Sequence, residues 1–255
     1  MSKIYIDDVG EGYPLVLVHG YLGSSEMWCN QKDFFSGFFR VISPALPGFG
    51  ESSDVQSLDS INKMAKFIIN EIDAKRIDKF NLLGHSMGGM IIQEIARIDQ
   101  KKINKLILYS TGALGNMPGR FETIDKSRRN LKVEGIKKTI SKISKTWFVK
   151  GSNAKYFYLC EKFSNNIRSN TVDNALIAMK KWNGLNNLKN IKKKTLIIWG
   201  DKDKSYNLTQ AKTLEKNISN SSLVIFEGCA HNVHLEKIEE FNKAVFNFIN
   251  YNKNE

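Results

Sequence analysis

Six short, unbroken apolar runs punctuate the chain, at residues 15–18, 41–45, 80–83, 106–109, 196–199 and 223–226. A run of four or five apolar residues without polar alternation is what a strand covered on both faces requires. Between several of the runs the apolar residues switch to helical spacing, as in Ile61, Met64, Ala65, Ile68, Ile69 and Ile72, in Met90, Ile91, Ile95 and Ile98, and in Ile238, Phe241, Val245, Phe248 and Ile249. This alternation predicts an α/β fold, a mostly parallel sheet with helices on both faces. Residues 3–9 read as an opening strand turned by Gly10 and Gly12.

The rhythm fails once. Residues 112–194 hold no strand-like run, and Ile136, Ile140 and Ile143, then Leu176, Ile177, Met179 and Lys180, suggest helices. The spacing therefore predicts a core domain over 1–111 and 191–255 with a helical lid, or cap, inserted at 112–190. The same stretch carries the charge. Of the chain's net +12, residues 112–194 hold 19 of 38 Lys+Arg against 5 of 26 Asp+Glu, a local net of +14, which leaves the rest at −2. A general lysine bias would raise the whole chain. The excess is either a solvated surface or a field that favours an anionic substrate or an acidic carrier protein.

The hydrophobic content of 42% is ample for a core and excludes the disordered and low-complexity classes. No apolar run approaches the roughly 18 residues of a membrane span, and the first ten residues lack the apolar stretch of a secretory signal. Cys29, Cys160 and Cys229 form an odd set without Cys-x-x-Cys spacing, which argues against a disulfide framework or zinc ribbon. The expectation is a cytoplasmic protein with no metal, no cofactor, no membrane span and no nucleic-acid partner.

Gly84-His85-Ser86-Met87-Gly88 has the Gly-x-Ser-x-Gly form of a nucleophile elbow, set between the apolar run 80–83 and the helical stretch 87–98. Such a turn would present the Ser86 hydroxyl at the C-terminal edge of the sheet, above a helix N-terminus suited to an oxyanion. A serine hydroxyl needs a base. Of four histidines, His19 and His85 belong to other motifs and His234 starts the final helix, whereas His231 follows the last strand. The base needs an acid, and Asp201 and Asp203 both follow the run 196–199; Asp203 is favoured because two further loop residues let it turn towards His231. His19-Gly20-Tyr21-Leu22-Gly23 ends the run 15–18, which makes the backbone N–H groups of Tyr21 and Met87 the natural oxyanion pair. Cys229 reads as a small apolar filler. Trp147, Phe148, Tyr156, Phe157, Tyr158 and Trp182 read first as lid core, with Trp147 and Trp182, together with Tyr21 and Leu22, as candidates to line a substrate pocket.

On these motifs and the order Ser86, Asp203, His231, the chain resembles the α/β-hydrolase superfamily over nearly its whole length. Leu46-Pro47-Gly48-Phe49-Gly50 is similar to a loop of that family, while Lys204-Ser205-Tyr206-Asn207 lacks the proline common after the acid. The resemblance implies an eight-stranded sheet, a helical lid after the sixth strand, and a serine hydrolase acting on a carboxylic ester or related acyl compound through an acyl-enzyme. Ser86 at the elbow argues against haloalkane dehalogenases and epoxide hydrolases, which place aspartate there. Carbon–carbon bond hydrolases typically carry tryptophan after the catalytic histidine, where this chain has Asn232. Enol-lactonases, perhydrolases and aminoacrylate hydrolases have closely similar motifs, and residues 46–52 are similar to esterases that demethylate pimeloyl-acyl carrier protein. A non-catalytic ligand receptor on the same scaffold is the alternative from another class.

Overall fold

The computed structural model describes residues 4–164 and 166–251. The apolar runs become strands: β1 (Ile6–Val9), β2 (Pro14–Val18), β3 (Arg40–Pro44), β4 (Phe80–His85), β5 (Ile103–Tyr109), β6 (Lys194–Gly200) and β7 (Ser221–Phe226). They form one sheet in the order β1-β3-β2-β4-β5-β6-β7. Each neighbouring pair is parallel except β1 with β3. The helices are α1 (Cys29–Phe35), α2 (Ile61–Ala74), α3 (Met87–Asp99), α4 (Ile124–Glu134), α5 (Ile136–Ser144), α6 (Phe157–Ser164), α7 (Ser169–Lys181), α8 (Leu208–Asn217), α9 (Val233–Glu236) and α10 (Ile238–Asn250).

The described residues hold seven strands, which corrects the eight implied by the family resemblance. Tyr5, just before β1, has its backbone taken by loops: its carbonyl accepts from Ala45 N–H at 3.0 Å and its N–H donates to Ser52 Oγ at 3.0 Å. A second correction concerns burial on both faces, which holds for β2, β4 and β5 but not for β7, where Val224 and Ile225 are 36% and 43% exposed. An edge strand has a neighbour on one side only, so helices need not cover all of it.

Strand side chains alternate between the two faces. Val16, Val18, Leu82, Leu106, Leu108 and Ile197 pack with Met64 and Ile68 of α2, Met90 and Ile91 of α3 and Leu214 of α8. Leu15, Leu17, Leu83, Ile107 and Ile198 pack on the other face with Phe35 of α1 and Phe241, Val245 and Ile249 of α10. Each fully buried Leu or Ile contributes about 1.5–3 kcal/mol. The amphipathic spacing in α2 puts Ile61, Met64, Ala65, Ile68 and Ile72 inside, which is why that segment forms a helix and docks.

Between β5 and β6 the chain forms α4 to α7. The two ends of this insert meet at the bridge Leu114↔Asn183, with Gly184 N–H donating to Ala113 O and Gly115 N–H to Trp182 O. Ile140, Ile143, Trp147, Leu176 and Met179 of the insert join the same core as Met87, Met90 and Ile91. No helix among the described residues is long and apolar enough to cross a membrane.

Candidate active site

Ser86 sits between β4 and α3 with φ 57° and ψ −118°. A non-glycine residue there costs about 1–3 kcal/mol and persists only when its surroundings over-determine it. Here they do: Ser86 N–H donates to Tyr109 O at 2.9 Å, and Ser86 O accepts from Thr111 Oγ1 at 2.7 Å and from Gly89 N–H at 2.9 Å. The turn also needs its glycine, because a Cβ on Gly88 would stand 2.2 Å from Val18 O.

His231 lies in the loop after β7, and its Nδ1 is 2.8 Å from Asp203 Oδ2, with both side chains shut from water. A carboxylate accepts, so Nδ1 carries the proton and Nε2 is left as the free acceptor. The other oxygen of Asp203 accepts from Ser205 N–H at 2.7 Å and Tyr206 N–H at 3.2 Å. A proline at either position would remove one of these donors, which gives the missing proline a physical reason. Asp201 lies elsewhere: it holds Gly228 N–H at 2.6 Å and pairs with Lys202 at 2.8 Å. The His231 carbonyl in turn accepts from Tyr109 OH at 2.9 Å and lies 3.2 Å from His85 Nε2.

His19 is structural. Its Nε2 accepts from Leu46 N–H at 3.0 Å while its Nδ1 meets Gly20 O at 2.8 Å, and burial holds it neutral, down to about 4. The loop it braces brings Gly20 against the elbow, so close that a Cβ there would stand 2.9 Å from Ser86 Cβ. Neither Tyr21 N–H nor Met87 N–H has a hydrogen-bond partner among the described residues. Cys229 is buried, and burial pushes its thiol up to about 11, which leaves little thiolate at neutral pH.

Ser86 and His231 share one narrow cavity with Tyr21, Arg120, Ile143, Trp147, Met179, Ser205 and Tyr206, with free space for about one water molecule. Two of the sequence-derived lining candidates fall outside it. Leu22 is buried in the core, and Trp182, at the end of α7, lines a separate cleft with Gln93, Glu94 and Arg97 on the side of α3. Arg120, Ser205, Tyr206, Ile143 and Met179 were not anticipated as lining. Ile143 and Met179 carried only a helical signal, and Tyr206, whose ring stacks on His231 at 5.7 Å and 9°, is marked in the sequence only by its nearness to Asp203.

The alpha/beta hydrolase fold family matches residues 13–238. Among curated relatives, a 2-hydroxy-6-oxo-6-phenylhexa-2,4-dienoate hydrolase of Burkholderia cepacia is 28% identical, covering 97% of this chain and 91% of that protein. Among solved structures, an esterase from Exiguobacterium antarcticum superposes with a TM-score of 0.87 at 24% identity, covering 96% of this chain and 95% of the other. The enol-lactonase of Burkholderia xenovorans LB400 gives 0.86 at 21% identity, with 96% of each chain covered.

Proposed function

The chain belongs to the α/β-hydrolase family and is a hydrolase, and on that premise we propose that it cleaves a carboxylic ester or related acyl compound with Ser86 as nucleophile, His231 as general base and Asp203 as the orienting acid. The observation that carries this reading is the 2.8 Å His231–Asp203 hydrogen bond, closed to water, opening on the cavity that holds Ser86 in its strained turn. Asp203 fixes the tautomer, so His231 Nε2 takes the Ser86 proton as Oγ attacks the substrate carbonyl carbon. The carbonyl oxygen becomes an oxyanion between Tyr21 N–H and Met87 N–H. His231 then gives its proton to the leaving oxygen as the acyl bond breaks, and water attacks the acyl-enzyme by the same route. Each oxyanion donor contributes about 3–4 kcal/mol to the transition state.

The insert is read as the lid over this cavity, with Trp147 and Tyr21 among its substrate walls. The net +14 of residues 112–194 would draw an anionic substrate or acidic carrier to the mouth. Labelling by a fluorophosphonate together with turnover of p-nitrophenyl esters tests the reading, and both should vanish in Ser86→Ala. A labelled protein that turns over no ester would fit the ligand-receptor alternative. The Burkholderia cepacia relative favours carbon–carbon bond hydrolysis as a second reading, and cleavage of a 2-hydroxy-6-oxodienoate without ester turnover would select it.

A further inference from the structure

Arg120 stands at the cavity with Ser86 and His231, in the loop between β5 and α4. Two hydrogen bonds pin that loop to the one carrying Asp203: Phe121 N–H donates to Lys204 O at 3.1 Å, and Asn207 Nδ2 donates to Pro118 O at 3.3 Å. The guanidinium lies 5.6 Å from the centre of the Phe121 ring and meets no carboxylate within ion-pair distance among the described residues. The acidic groups around it are already engaged. Glu122 accepts from Ser127 Oγ at 2.7 Å and Asn130 Nδ2 at 3.1 Å and faces Lys142 at 3.7 Å. Asp173 takes Arg128 through both oxygens, and Asp203 holds His231.

A second orphan sits beside it. The Tyr21 hydroxyl is buried, lines the same cavity and has no hydrogen-bond partner. Burial pushes the phenols of Tyr21 and Tyr206 up, Tyr206 to about 12, and the Arg120 guanidinium is the largest opposing influence on both. Its charge therefore bears on the two hydroxyls that face the site. A buried hydroxyl without a partner and a half-exposed cation without a counter-ion stand beside one cavity that holds about one water molecule as it stands, and together they would meet an anion once the wall parts to admit it. In the rest of the wall, Ile143, Trp147 and Met179 are largely apolar and Ser205 is polar.

We propose that Arg120 and the Tyr21 hydroxyl bind a carboxylate on the substrate itself, so that the preferred substrate is a short acyl compound bearing an anionic end a few carbons from the scissile carbonyl. This rests on the hydrolase reading and names its substrate class. The guanidinium takes the carboxylate through its N–H fork and Tyr21 donates to it. The backbone N–H of the same residue serves the oxyanion, so one loop fixes both ends of the substrate.

The test compares the 4-nitrophenyl monoester of glutaric acid with neutral 4-nitrophenyl pentanoate. The wild-type protein should favour the anionic ester in kcat/KM, and Arg120→Met should lower the ratio of anionic to neutral ester by about tenfold or more. Arg120→Lys, which keeps the charge but loses the fork, should fall between. An unchanged ratio in Arg120→Met overturns the proposal. If neither ester turns over, calorimetric binding of glutarate decides it independently of the chemistry. Glutarate binding to Ser86→Ala that is lost in Ser86→Ala/Arg120→Met sustains the anion site while the ester reading falls. Glutarate binding that ignores Arg120, or no binding to Ser86→Ala, overturns it.

Discussion

The sheet and the insert divide the molecule's titratable groups in opposite ways. All four histidines lie outside residues 112–194, buried to 6% exposure or less, while the surrounding sheet region is close to neutral in net charge. Residues 112–194 hold no histidine, carry the net +14, and spend several of their cations on exposed pairs such as Lys180–Asp125, Lys162–Glu26 and Arg168–Asp54. Pairs of that kind contribute about 0–1 kcal/mol each. The difference lies in what surrounds the groups: the histidines are held in one geometry by the packed sheet region, whereas the cations of 112–194 lie largely at the surface, where water and salt screen them.

The sharpest way to break that division is to remove the proposed machinery of the sheet. Ser86→Ala, His231→Ala and Asp203→Asn should each lower kcat on any ester turned over by about a thousandfold or more, without adding when combined, because they act as a unit. Asp201→Asn should be mild, since its carboxylate holds the Gly228 turn rather than the His231 ring. Near-normal turnover by Ser86→Ala would end the assignment.

Acid sensitivity should also belong to the sheet. Burial depresses His19 to about 4 and His234 to about 3, so below about 6.5 the unfolded chain binds protons that the folded one refuses. Their contribution to stability is complete above about 6.5 and is lost as pH falls towards those folded values. The slope is about 1.4 kcal/mol per pH unit for each histidine over that window. Guanidinium midpoints should therefore fall between about pH 6.5 and 4.5; a flat profile would contradict the neutral, buried rings.

The smallest effect is expected from the insert's surface. Lys137 and Lys138 are exposed on α5 and form no ion pair among the described residues. Converting both to glutamate should lower kcat/KM for an anionic ester by about threefold at low salt, with kcat unmoved, and added salt should erase the difference. Equal behaviour towards neutral and anionic esters would make the basic surface a bystander.

Much of this was legible in the sequence because it depends on local demands. The elbow declares itself in five residues, since only glycine fits where Gly88 passes Val18 O. Both-face burial made β2, β4 and β5 visible as apolar runs. Loop length alone pointed to Asp203 rather than Asp201 as the carboxylate that would face His231, and the two side chains do meet. The cavity wall was not legible in this way, because Arg120, Ile143, Met179 and Tyr206 meet only after the insert folds back over the sheet. Trp182 misled for the same reason: an aromatic residue in the insert can face α3 as easily as Ser86, and helical period cannot tell the two apart. The strand count of eight came from the family rather than from the residues, whose six apolar runs and one opening strand already make the seven strands observed.

The core shared by Ile140, Ile143, Trp147, Leu176 and Met179 with Met87, Met90 and Ile91 bears on how such a protein can be recombined. Residues 112–190 are contiguous in sequence, yet their apolar underside shares one core with α3. A donor insert grafted onto this scaffold would bring its own apolar underside to a surface shaped by α3, and each mismatched methylene would be felt as a void or a clash. Successful chimaeras should therefore carry α3 and the insert together as one inherited block, with the crossovers placed in the strands on either side.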